Sequence, residues 1–183
     1  PARQEFLCGC LRSLEANVAA MGGALVFREG DPVAELERLL EETGAEAVYT
    51  NRDPDPHGRK VEGLVEAMCR ARGVSFHACK DAALHERDEV MTGSGGPFRV
   101  FTPYSRAWLK LPKAAVLPAV TRLGAVPGLR SLPCPTLATW GLSAAGVTLP
   151  EAGERAARER LRRAVTGVLP HYSERRDTPD GQT

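Results

Sequence analysis

Isoleucine is absent from this 183-residue chain, lysine occurs four times against twenty arginines, and aromatic residues make up 5%. Any core must therefore be built from Ala, Leu and Val, and both biases read as coding composition rather than function. Charge of one sign is also lacking, since 24 basic and 23 acidic side chains leave +1. That excludes a histone-like or polybasic protein whose partner is legible in bulk charge, though not a local basic patch. No apolar run approaches the roughly 18 residues needed to span a bilayer, and no signal-peptide pattern opens the chain. Cys8, Cys10, Cys69, Cys79 and Cys134 are odd in number and include no CxxC or Cys/His cluster. No zinc site is expected from that spacing. The expectation is a reduced, cytoplasmic protein with no membrane partner. The chain begins at Pro1 already in a helical pattern, as expected of a piece of a longer protein.

Hydrophobic residues amount to 43%, enough for one core. From Ala2 to about Met21, the apolar residues Phe6, Leu7, Cys10, Leu11, Leu14, Val18 and Met21 recur at three and four, predicting a helix with one buried face, stopped by Gly22-Gly23. Ala24–Arg28 reads as a strand. Gly30-Asp31-Pro32 then supplies a turn, an N-cap and a first-turn proline for a helix ending near Thr43, before Gly44. Glu46–Thr50 reads as a second strand, Val61–Arg72 as most of a third helix and Val74–Cys79 as a third strand. Strands separated by helices run parallel and need helices on both faces. The predicted fold is α/β, a Rossmann-like doubly wound parallel sheet. Residues 112–150 carry Pro112, Pro118, Pro127, Pro133, Pro135 and Pro150 and read as an extended connector without helix or strand. Glu151 to about Leu169 turns helical again.

Four segments stand out. Asn51-Arg-Asp-Pro-Asp-Pro-His-Gly-Arg59 follows a strand, where open parallel sheets bind ligands. It fits either a holder for a polar heterocycle or a proline-stiffened turn in which Asp caps the next helix. Met91–Tyr104 is glycine-rich, yet it lacks the lysine of a phosphate loop and the third glycine of a dinucleotide fingerprint. It reads as a tight turn into a helix that packs Phe98, Phe101 and Trp108 on the domain. Over 151–177, seven arginines face five acids, the pattern of a solvated helix laced with ion pairs. His85-Glu86, with Asp88 and Glu89, has no metal-ligand spacing. No complete active site is legible.

The run Met91-Thr-Gly-Ser-Gly-Gly-Pro-Phe-Arg-Val-Phe-Thr-Pro-Tyr-Ser-Arg-Ala-Trp108 resembles the TGxGxPYxVFTPFxxxW segment of the DNA photolyase/cryptochrome family, in its class I-like form. Ala47–Asp53 resembles the family's strand-loop before the antenna site. Tyr172-Ser-Glu-Arg-Arg-Asp177 resembles the stretch opening its flavin domain. Order and spacing agree along the whole chain. The resemblance implies a partial antenna-chromophore domain over 1–111, a linker over 112–150 and the start of a helical FAD domain over 151–183. It implies light-driven repair of cyclobutane pyrimidine dimers by electron transfer from reduced FAD, on UV-damaged DNA, in a protein monomeric at full length. The fragment itself is expected to be inactive.

By the same resemblance, Tyr172 and Thr183 are FAD contacts and Arg176 lies near DNA phosphates. Asp53, Asp55 and His57 face the antenna chromophore. Gly58 stands where folate-binding members carry a carboxylate, so a deazaflavin is expected in preference to methenyltetrahydrofolate. The family's first two strands are missing from this chain, which implies unpaired strands and low stability. Two alternatives stand beside this reading. One is a cryptochrome photoreceptor, and the other is a nucleotide-binding α/β module of the universal-stress type.

Overall fold

A computed structural model describes residues 1–80, 83–144 and 146–178, the side chain of Arg87 excepted. The chain forms two compact units, Glu29–Ala119 and Pro1–Arg28 with Val120–Thr183.

In the first unit, the Asp31 carboxylate accepts from the amides of Val33 and Ala34 at 3.1 and 3.0 Å. This cap, with Pro32 in the first turn, starts α2 (Pro32–Thr43), and Gly44 ends it. There follow β1 (Ala47–Asn51), α3 (Pro56–Ala71) and β2 (Ser75–Cys79). Val61–Arg72, read as most of this helix, is preceded in α3 by one more turn, which Asp55 caps and Pro56 opens. β1 and β2 pair in parallel, Ala47 opposite Ser75 and Asn51 opposite Cys79. The alternation of side chains along a strand gives the sheet two unlike faces. Val48 and Phe76 pack on the core of Leu40, Val65 and Cys69, which lies against α2 and α3. Tyr49 stands on the opposite face, 71% exposed, its ring stacked on His77 at 4.5 Å. Arg72, just past α3, reaches back to Glu37 and Glu41 of α2 at 2.6 and 2.7 Å, tying the two helices together. A single turn of 3-10 helix at Arg87–Glu89 and the helix α4 (Phe101–Lys110) complete the unit.

The second unit holds α1 (Ala2–Ala20), a 3-10 turn at Leu137–Trp140, and α5 (Glu154–Arg163). Beyond α5 lie a π-helical turn at Ala164–Val168, a 3-10 turn at Leu169–His171 and the short α6 (Tyr172–Arg175). Three expectations are corrected here. Ala24–Arg28 is not a strand of the sheet. Phe27 instead makes an isolated antiparallel bridge to Leu132, whose amide donates to its carbonyl at 2.9 Å, while the Phe27 amide donates to the Ser131 hydroxyl at 2.9 Å. The connector thus satisfies backbone groups that a neighbouring strand would otherwise take. Among the described residues the sheet accordingly has two strands rather than three, although the mixed α/β class with parallel pairing holds. The apolar face expected of α1 is partly open, with Phe6, Leu7 and Leu14 at 38, 47 and 47% exposure, whereas Cys8 is buried.

α5 meets α1 along small residues. A Cβ at Gly9 would approach that of Ala152 to 2.7 Å, and one at Gly153 would overlap Ser13. Gly153 also has φ +104, a conformation that side chains disfavour.

Because Leu40 is 7% exposed in the centre of the first unit's core, Leu40→Ala should cost about 2–5 kcal/mol of that unit's stability. The expected result is a lower urea midpoint with an unchanged slope. A loss below about 0.5 kcal/mol would show that this core does not hold the unit together.

Candidate functional site

Parallel strands deliver their C-terminal ends to one edge of a sheet, and there the chain places two loops. In the loop after β1, the Asp53 carboxylate accepts from the Asp55 amide at 2.9 Å, and the Asp55 carboxylate accepts from the His57 amide at 2.8 Å. Two nested turns of this kind are local chemistry that short acidic side chains favour. The second also caps α3. Asp53, Asp55 and His57 therefore sit together in one turn at the end of β1, and all three are exposed. Asp53 and Asp55 each commit one carboxylate oxygen to the turn.

Gly58 allows this arrangement. A side chain there would overlap Cβ, Cγ and Oδ2 of Asp53. The position thus not only lacks a carboxylate but has no room for one while the turn stands.

The loop after β2 is tied to this turn by an ion pair between residues far apart in sequence. Arg52 Nη1 donates to Glu86 Oε2 at 2.9 Å, and the Arg52 amide donates to the Cys79 carbonyl at 2.9 Å. Lys80 pairs with Glu89 at 2.5 Å, and the Glu89 carboxylate also receives the Glu86 amide at 2.7 Å. The Lys80 ammonium first, then that amide, holds the Glu89 carboxyl below its ordinary range. Sequence reasoning weighed His85-Glu86 only as a metal pair and missed this strut, for which opposite charges 34 residues apart give no local signal.

The glycine-rich run is the tight turn expected. The Thr92 hydroxyl donates to the Gly96 carbonyl at 2.9 Å and receives the Gly96 amide at 3.1 Å, and Met91 bridges Pro97. Of the aromatics expected to anchor α4, Phe98 and Trp108 are half-buried. Phe98 meets Tyr104 edge-on at 6.2 Å, and Trp108 meets His85 edge-on at 5.3 Å. Lys113 lies 4.2 Å over the Trp108 ring while donating to carbonyls at the end of α4. Phe101 departs from the expectation at 78% exposure. It is the first residue of α4, where its side chain has no preceding turn to lie against.

In the other unit, Tyr172 opens α6 at 47% exposure, and the Arg176 amide donates to its carbonyl at 2.9 Å. Arg176 also reaches Asp177 at 3.4 Å. Thr183 lies outside the described residues. Among the described residues no helix is long and apolar enough to cross a membrane.

Comparison with known proteins gives one consistent picture. The DNA photolyase family matches residues 1–122. A deoxyribodipyrimidine photo-lyase of a Synechococcus species is 32% identical over 98% of this chain and 39% of its own length. The crystal structure of a bacterial class III photolyase from Agrobacterium tumefaciens matches with TM-score 0.89 and 29% identity, covering 99% of this chain and 39% of that one. A Synechocystis cryptochrome matches in fold, with TM-score 0.81 and 17% identity over 95% of this chain and 38% of that one. The chain thus spans about two-fifths of the length of these relatives.

Two outcomes test the site's construction. Gly58→Ala should destabilise the first unit by about 1–3 kcal/mol through overpacking against Asp53. Adding Asp53→Gly should recover most of that loss in a double-mutant cycle read by urea unfolding. The Lys80–Glu89 pairing should act with the sign of a depressed carboxyl. Its stabilisation is present above the ordinary value near pH ~4.3 and disappears as pH falls through the lower folded value. A carboxyl-carbon NMR titration should find Glu89 titrating low, and Lys80→Met should return it toward the ordinary range.

Proposed function

This chain belongs to the DNA photolyase family, and from that premise we propose that it supplies the antenna unit, connector and first flavin-domain helices of a light-driven DNA repair lyase. In this reading residues 1–111 derive from the antenna-chromophore domain, 112–150 are the linker and 151–183 begin the helical FAD domain. When bound, reduced FAD would lend the electron that splits a cyclobutane pyrimidine dimer and take it back from the separated pyrimidines, and a bound antenna chromophore would supply the excitation. The protein that carries this chain acts in the cytoplasm as a monomer on UV-damaged DNA, with the damaged base flipped from the stack.

The observation that carries the reading on this chain's own residues is the carboxylate turn at the C-terminal end of β1. Asp53 Oδ1 is held by the Asp55 amide, which leaves Oδ2 to accept an N–H or O–H from a planar heterocycle at the mouth of a parallel sheet. Asp55 caps α3 and stiffens the same turn, and His57 follows it with an imidazole able to donate or accept. Gly58 favours a deazaflavin over a folate, since the turn leaves no space for a further carboxylate. Tyr172 and Thr183 are assigned to the flavin. Arg176 is assigned to a DNA phosphate, a contact that positions without reading sequence.

A cryptochrome photoreceptor is the second reading, favoured by the fold likeness to one. The two share the chromophores and differ in output.

The deciding experiment is an absorption spectrum and a repair assay on the product of the complete reading frame. Flavin bands that bleach and recover under blue light with reductant are expected, with a second band from the antenna. Blue-light-dependent loss of thymine dimers from irradiated DNA is expected alongside them. A flavin spectrum without repair would select the cryptochrome reading. A colourless, well-folded product would overturn both. Asp53→Asn should reduce the antenna band while leaving the flavin bands in place.

A further inference from the structure

The seam between α1 and α5 widens into a groove of about 480 Å³, a volume in the range of small-molecule sites. Its walls are Phe6, Cys10 and Leu14 from α1, and Pro150, Ala156 and Ala157 from the other side. The small residues at Gly9, Ala152 and Gly153 bring the backbones close at one end of this seam. The two alanines on α5 then leave space opposite Phe6 and Leu14, which remain 38% and 47% exposed.

Charge at this groove is unevenly satisfied. Glu151 and Glu154 line its rim, but each is neutralised, by Arg155 at 2.9 Å and by Arg158 at 2.6 Å. Arg162 and Arg163 both lie on Glu159, at 2.5 and 3.8 Å. Arg160 lines the groove, and among the described residues nothing pairs with it. The sequence explains why. Positions three and four away on either side are Ala156, Ala157, Arg163 and Ala164, with no acid at helical spacing. The groove therefore combines an apolar trough, one uncompensated guanidinium, and the hydroxyl of Ser13 and amide of Asn17 on the α1 wall.

We infer that this groove binds a small amphiphilic anion, an apolar or aromatic body with one carboxylate or sulfonate end. The body lies between Phe6, Leu14 and the two alanines, and the anionic end meets Arg160. A neutral apolar molecule fills the trough but leaves the guanidinium unused, and a polyanion lacks apolar surface to bury. The site lies in the unit that does not carry Asp53, and it is independent of the antenna reading.

Cys10 gives the test a local reporter, since its half-buried thiol lines the groove, while the exposed Cys79 belongs to the other unit. The experiment measures iodoacetamide alkylation of Cys10 and Cys79 by peptide mass mapping of the product of the complete reading frame. It is run with and without 8-anilinonaphthalene-1-sulfonate, and repeated with the neutral N-phenyl-1-naphthylamine. Saturating sulfonate probe should slow Cys10 alkylation at least about fivefold and leave Cys79 unchanged. Arg160→Gln should weaken the sulfonate probe about threefold to fivefold, the size of an exposed ion pair, and leave the neutral probe unaffected. Ala157→Trp, filling the trough at an exposed helix position, should abolish protection by both. Far-UV circular dichroism confirms that each variant keeps its helices.

The inference is overturned if Cys10 reacts at the same rate with saturating probe. It is equally overturned if Ala157→Trp retains protection, or if Arg160→Gln weakens both probes alike or neither.

Discussion

Parallel pairing of Ala47–Asn51 with Ser75–Cys79 is the constraint from which the first unit follows. Two parallel strands cannot be joined by a hairpin, so the chain must cross back over the sheet, and α3 is that crossing. The crossing places α3 on one face, where Val65 and Cys69 meet Val48 and Phe76 and where α2 adds Leu40. Burial in that layer also raises the Cys69 thiol above its ordinary range, which makes it an inert packing group. The same parallel sense carries both strand ends to one edge, so the loops after β1 and β2 meet there. Arg52 and Glu86 then hold them together.

Aspartates do two kinds of work in this chain. Asp31 and Asp55 cap helices, and Asp53 builds the turn that leads into α3. Sequence reading left open whether the loop after β1 was a ligand holder or a capped turn. The geometry makes these compatible, because a carboxylate that spends one oxygen on the backbone keeps the other for a ligand. The Asp55 amide holds Asp53 in place, and the absence of a side chain at Gly58 gives the carboxylate the room to sit there. Gly153 plays a comparable part in the other unit. There a positive φ and close approach to Ser13 set how the start of α5 lies on α1.

Most element types were legible in the sequence, and their physical basis is local. Asp31-Pro32 before an apolar stripe and Gly44 after it specify α2 by capping chemistry within a few residues. β1 and β2 were legible as short apolar runs between helices, and their parallel sense followed from what lay between them. The aromatic run Met91–Trp108 carried the family. What eluded the sequence was partner choice. Ala24–Arg28 has the composition of a strand, but a strand is completed only by whatever satisfies its backbone, and here Ser131 and Leu132 do so. Likewise, the spacing of Phe6, Leu7 and Leu14 on α1 marks an apolar face but not how much surface is available to cover it.

Local chemistry, written within about four residues, therefore determined the caps, the turns, the alternation of helix and strand and the carboxylates of the loop after β1. It also left Arg160 without an acid at helical spacing. Tertiary structure decided the Arg52–Glu86 strut, the clearance at Gly58, the bridge from Phe27 to the connector and the trough between α1 and α5. Each of these depends on the distance between groups far apart along the chain. Residue identity supplies the charges, volumes and hydrogen-bonding groups, but folding alone sets which of them come within reach of one another.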